Sequence, residues 1–204
     1  MLEHFQRVVT APEDGPAQIY AAQLPIDDLS PALREDLATP PFAGERSDVN
    51  LWLGLGAATP LHWDASDNLL VQVCGAKHVR LYSPAESRRL YPFRSGEGPR
   101  NASRIVDIAR AERSPAEWPG FAEAEWEECW LGAGDMLYIP EGWWHAMASA
   151  VPTPGAGPAH NCSVNFWWPR AGAGAAAAAE VRGRAGVGAG AGGGAGAGAG
   201  AVYI

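Results

Sequence analysis

Between Asp48 and Trp168 the hydrophobic positions fall in short runs rather than long amphipathic stretches. "DVNLWLGLG", "LLVQV", "KHVRLYSP", "ECWLGAGDMLYIP" and "CSVNFWWP" are rich in β-branched, aromatic and leucine side chains and are broken by Gly, Pro, Asp and Asn, the pattern of strands joined by turns. No helical crossovers alternate with them, which argues against a parallel α/β sheet and for a sandwich or barrel of the jelly-roll kind. Ahead of this core, "LEHFQRVV" sets Leu2, Phe5, Val8 and Val9 at roughly helical spacing, and "AQIYAAQLP" reads as a short strand. "SPALREDLA" reads as a helix with Ser30 as its cap and Pro31 at its first position. The stretch 84–125, with its Pro, Gly and Arg, reads as surface excursions carrying a short helix. The expected class is mainly β, with a few peripheral N-terminal helices.

Composition changes that picture at one end. From Ala171 onward 26 of 34 residues are Ala or Gly, too few large side chains to offset the entropy of ordering. The chain therefore divides into one domain over 1–170 and a disordered Ala/Gly-rich tail over 171–204. The tail holds one Glu and two Arg, so the net charge of −8 leaves the body one unit more negative. That disfavours a nucleic-acid partner and favours a basic peptide or protein. Cys74, Cys129 and Cys162 are odd in number and widely spaced, which suggests reduced thiols packed as small hydrophobes in an intracellular, nuclear or cytoplasmic protein. No signal-peptide h-region and no long apolar span is present, so no membrane association is expected. Oligomeric state has no readable signature.

The chemistry lies in two segments. In "TPLHWDASDN", His62 and Asp64 are two apart, so on a strand they share one face while Leu61 and Trp63 take the other. In "GDMLYIPEGWWH", a turn at Gly134-Asp135, a strand "MLYI" and a second turn at Pro140-Glu141-Gly142 deliver His145. Two His and one carboxylate with open coordination positions is the ligand set of non-haem Fe(II) oxygenases. Lys77 shares the period-2 face of Val79 and Leu81, opposite His78 and Arg80. Such a lysine either snorkels to water beside Gly75 or stands as a buried cation that calls for an anion. Trp63, Trp143 and Trp144 read as packing residues, as do Trp167 and Trp168, with a dimer contact the alternative for the last two. His4, His78 and His160 read as surface or structural, and Asp67 as the cap of a turn beside Asn68.

These segments resemble known motifs. The run from Gly56 through Gly75 is similar to the first cupin motif, with Asn68 where many cupins carry Glu. Gly134 to His145 is similar to the second, with Ser149 where that motif ends in Asn. More closely, "PLHWDASDNLLVQVCGAKHVRLYSPAES", "LYP", "GDMLYIPEGWWH" and "SVNFWW" resemble the JmjC-domain 2-oxoglutarate oxygenases over roughly residues 18–168. The nearest branch is the arginyl-hydroxylase group of JmjC domain-containing protein 5 or lysine demethylase 8. The resemblance implies a double-stranded β-helix, with Fe(II) held by His62, Asp64 and His145. It also implies 2-oxoglutarate held by Thr59, Asn68 and Lys77, the lysine pairing the distal carboxylate. It implies hydroxylation of a protein side chain, arginine among the candidates, with succinate and carbon dioxide as co-products. Asp rather than Glu as the acidic ligand leans towards hydroxylation over lysine demethylation. The chain is expected to lack the N-terminal part of that domain. The competing readings are a cupin-like binding or structural protein without turnover, and a small-molecule cupin enzyme that would not need Lys77.

Overall fold

The computed structural model describes residues 20–43, 48–54, 58–150, 160–169 and 201–203. The expected helix at 2–9, Gly56 of the first motif and residues 171–200 lie outside them. The described strands are β1 (Tyr20–Pro25), β2 (Asp48–Gly54), β3 (Ala58–Trp63), β4 (Asp67–Cys74), β5 (Lys77–Tyr82), β6 (Glu127–Leu131), β7 (Met136–Ile139), β8 (Trp144–Ser149), β9 (Asn161–Trp168) and β10 (Ala201–Tyr203). They form a larger sheet ordered β1-β2-β9-β4-β7-β10 and a smaller one ordered β3-β8-β5-β6. All pairings are antiparallel except β10, which runs parallel to β7.

From β2 to β9 the chain changes sheet at every step except β5 to β6, which pair with each other. Two four-strand passes wound in this way make a double-stranded β-helix, the jelly roll expected from the run of short strands. Among the described residues three short α-helices accompany it: α1 (Ile26–Leu29), α2 (Pro31–Glu35) and α3 (Ile108–Glu112). Ser30 precedes α2 in extended conformation and Pro31 opens it, but the Ser30 hydroxyl makes no capping bond. Among the described residues no helix is long and apolar enough to cross a membrane.

Alternation along the strands sorts side chains into three layers. Leu69, Val164, Phe166 and Trp168 face outward from the larger sheet and are covered by Ile26 and Ala43. Leu70, Val79, Leu81, Leu131, Leu137 and Ile139 fill the space between the sheets. Leu61, Tyr82 and Trp144 face outward from the smaller sheet, against Leu90, Ile105, Ala111, Phe121 and Ala124. Within the segment 84–125 these buried residues make a packed cover, because a jelly-roll sheet with both faces apolar has to be covered twice, while residues 94–100 stay exposed as a surface excursion. β8 is likewise a strand that the composition "WHAMAS" does not announce, since Ala and Met carry little β preference.

Candidate metal centre

The antiparallel pairing of β3 with β8 sets His62 directly opposite His145. Their rings lie 4.3 Å apart between centroids, tilted by 56°. Leu61 and Trp63 turn to the outer cluster, as the period-2 reading requires, so His62 and Asp64 are left facing inward. The backbone then joins the two ligand-bearing segments: the N–H of Gly142, in the left-handed region at φ 81°, donates to the Asp64 carbonyl at 2.9 Å. One ligand atom from each of His62, Asp64 and His145 lies within 4.8 Å of the others.

The hydrogen bonds orient these side chains for a cation. Nδ1 of His62 is 2.8 Å from the Pro60 carbonyl, and Nδ1 of His145 is 3.0 Å from the Trp143 carbonyl. A carbonyl only accepts, so each Nδ1 is the N–H and, in the neutral ring, each Nε2 keeps a free lone pair. Those Nε2 atoms point at Asp64, 3.8 Å from Oδ1 and 3.6 Å from Oδ2 respectively. Oδ2 is buried without a hydrogen-bond partner. Burial pushes the Asp64 carboxyl above its usual range, a trend only partly offset by His62. Burial, then the neighbouring His62, holds His145 down to about 3, so its imidazole is neutral and available as a donor. Two imidazole lone pairs and an unsatisfied carboxylate oxygen converging on one point fit a divalent first-row metal.

A cavity of about 240 Å³ opens beside these groups and is also lined by Thr59, Asn68 and Lys77. Thr59 accepts from the Met147 N–H at 3.1 Å. Asn68 is 3% exposed, and its Oδ1 has no partner. Lys77 is also 3% exposed and faces inward with Val79 and Leu81, so it does not snorkel. Its ammonium donates to Ser163 Oγ, and burial lowers its pKa to about 8. Ser163 and Asn165, the latter holding the Trp52 indole N–H at 3.0 Å, were not singled out from sequence. The signal was there in the alternation of β9, whose Ser163, Asn165 and Trp167 oppose Cys162, Val164 and Phe166.

Residues 1–173 match the cupin-like domain family. The chain belongs to that family. Its relatives include lysine-specific demethylase 8 of Xenopus tropicalis, 36% identical over 156 residues, or 73% of this chain and 32% of that one. Lysine-specific demethylase JMJ30 of Arabidopsis thaliana is 37% identical over 154 residues, covering 73% and 33%. Jumonji C domain-containing protein 5 of Drosophila melanogaster is 36% identical over 157 residues, covering 73% and 36%. This cupin-like domain therefore spans about a third of the length of those relatives, and the JmjC resemblance is shown as kinship.

Trp167 lines the cavity, its indole N–H without a hydrogen-bond partner, whereas several other candidates in the cupin-like domain are tied into the fold. Trp144 donates to Ser87 Oγ at 2.9 Å, and Trp143 packs against the inter-sheet core. His78 meets Glu128 at 2.9 Å near the surface. Asp67 caps a turn, though not the one beside Asn68: it accepts from Tyr138 Oη and from the Glu141 N–H, both at 2.9 Å. Cys74, Cys129 and Cys162 are free thiols, half-buried rather than fully packed away.

Proposed function

We propose that the domain is an Fe(II)- and 2-oxoglutarate-dependent oxygenase that hydroxylates a protein side chain, arginine being the first candidate. The observation that carries this reading is the meeting, in one cavity, of the His62, Asp64 and His145 cluster with the buried ammonium of Lys77. A metal at the cluster supplies a point of attachment for one end of a dicarboxylate, and Lys77 supplies a cation for the other. When bound, iron and 2-oxoglutarate supply oxidative decarboxylation coupled to oxygen insertion into a C–H bond, with succinate and carbon dioxide released.

The chain's own residues place and shield these groups. Pro60 and Trp143 carbonyls fix the imidazole tautomers, which keeps both Nε2 atoms aimed at the metal position. Ser163 steadies the Lys77 ammonium, while Asn68 Oδ1 and Thr59 offer polar contacts along the dicarboxylate. The negative body of the chain suits a basic peptide. Free thiols suit a nuclear or cytoplasmic location.

The test is succinate formation with iron, 2-oxoglutarate and arginine-containing peptides. His62→Ala should abolish turnover while the fold persists, and Lys77→Ala should raise the 2-oxoglutarate requirement at least tenfold. A product heavier by about 16 Da identifies hydroxylation, whereas formaldehyde release from methyl-lysine peptides would identify demethylation instead. Undiminished turnover in His62→Ala would refute the proposal. Binding of Mn(II) and 2-oxoglutarate with no succinate from any peptide would favour the non-catalytic binding protein.

A further inference from the structure

Two of the three cysteines face each other across the larger sheet. In the register of β4 with β9, Gln72 pairs with Ser163 and Cys74 with Cys162, the one-residue bulge at Val73 bringing Cys74 into that position. Cys74 Sγ meets the His160 carbonyl at 3.8 Å, and burial, then the neighbouring Cys74, pushes the Cys162 thiol above its usual range. Directly opposed residues of an antiparallel pair have Cβ atoms about 4.5–5.5 Å apart, and a disulfide needs about 3.5–4.5 Å, so little backbone movement separates the two states. Both residues are half-buried and free. Cys129, on β6 opposite Val79, is in the other sheet.

The pair sits behind the Lys77 anchor. Cys74 leads through Gly75 and Ala76 into Lys77, and Cys162 is followed by Ser163, which receives the Lys77 ammonium. This turn is already pressed onto the start of β9. A Cβ on Gly75, at φ 74°, would come within 2.5 Å of the His160 carbonyl, and Asn161 Nδ2 donates to the Ala76 carbonyl at 2.7 Å.

We propose that Cys74 and Cys162 are a redox modification site that forms a reversible cross-strand disulfide and thereby stiffens the carrier of Lys77. The two thiols give up two protons and two electrons to make one S–S bond. Hydrogen peroxide accepts both and leaves as two molecules of water, and a dithiol reductant restores the thiols. Intracellular disulfides of this sort are characteristically transient and redox-sensing.

The experiment treats the full-length reduced chain with hydrogen peroxide, alkylates the remaining thiols with N-ethylmaleimide and measures intact mass and linked peptides. Expected are one alkylated cysteine, Cys129, in place of three, a loss of about 2 Da for the two hydrogens removed, and reversal by dithiothreitol. Amide exchange across 75–77 and 160–163 should slow severalfold on oxidation. Cys74→Ser and, as a second variant, Cys162→Ala should each lose the cross-link and the slowing together. Three alkylated cysteines after oxidation, or a linkage through Cys129, would overturn the site. Formation of the bond with unchanged exchange would overturn the stiffening. Resting further on the oxygenase reading, oxidation should weaken 2-oxoglutarate binding in the presence of Mn(II) at least threefold, because Lys77 can no longer adjust relative to Ser163. If the reduced protein binds no 2-oxoglutarate at all, that reading fails, while the mapped linkage still decides the modification site.

Discussion

Lys77 is where burial and function pull against each other. An inward ammonium held near 8 instead of 10.5 binds fewer protons in the folded state than in the unfolded chain over that interval. The sign follows: the Lys77 contribution to apo stability is least favourable below about pH 8 and improves as pH climbs from about 8 towards 10.5, by roughly 3 kcal/mol in all. An anion at the ammonium reverses this, so 2-oxoglutarate affinity should fall as pH passes 8. Replacing Lys77 by Met keeps the stem and removes the charge. Urea unfolding at pH 7 should find apo Lys77→Met at least as stable as the parent, and calorimetry with Mn(II) should find its 2-oxoglutarate affinity down by tenfold or more. A marked loss of apo stability would mean that Lys77 serves the fold instead of a ligand. The metal cluster gives a sharper outcome. His145→Ala removes a neutral donor from a site already short of satisfied lone pairs, and Mn(II) binding followed by electron paramagnetic resonance should be lost.

At the level of elements, β4, β5 and β9 were legible because their alternation is strong and turn residues bound them. Period 2 groups Lys77 with Val79 and Leu81, but it does not make Asn68-Leu70-Gln72 the inward set, since Leu69-Val71-Val73 is the more apolar face of β4. β8 was not legible, because Ala146, Met147 and Ala148 have no strand preference and are held in the sheet by partners on both sides, β3 and β5. What places β8 is the turn before it, fastened by the Asp67 carboxyl to Tyr138 and Glu141. Asp67→Ala should therefore cost about 2 kcal/mol in urea unfolding and weaken Mn(II) binding as well, since the turn that delivers His145 loosens. Among the described residues β6 has a partner on one side only, and its exposed Glu127 and Trp130 line that free edge. Charge on an edge strand opposes sheet-to-sheet association. Glu127→Val should shift the protein towards higher-mass species in sedimentation at micromolar concentration, with the metal site unaffected.

Across the whole molecule, the three apolar layers make stability and site chemistry separable. The outer layer beneath 84–125 escaped the sequence reading because Leu90, Ile105, Phe121 and Ala124 follow no single period; they become a layer only once the smaller sheet gives them a surface. The apolar side chains of that layer lie on the far faces of β3 and β8, while the covering segment reaches the site at one place, where Ala102 bridges to His62 and Asn101 lines the cavity. The inter-sheet layer is different, since Leu70 belongs to it and also lines the cavity with Asn68 and Lys77. Phe121→Ala should lower stability by about 3–5 kcal/mol, yet at a temperature where the variant is still folded its Mn(II) and 2-oxoglutarate affinities should match the parent. Leu70→Ala should cost a similar or smaller amount, about 2–5 kcal/mol, but should also weaken 2-oxoglutarate because the cavity wall that faces the ligand recedes. Equal loss of binding in the two variants would show that the cover and the site are mechanically coupled, and the separation of layers would have to be given up.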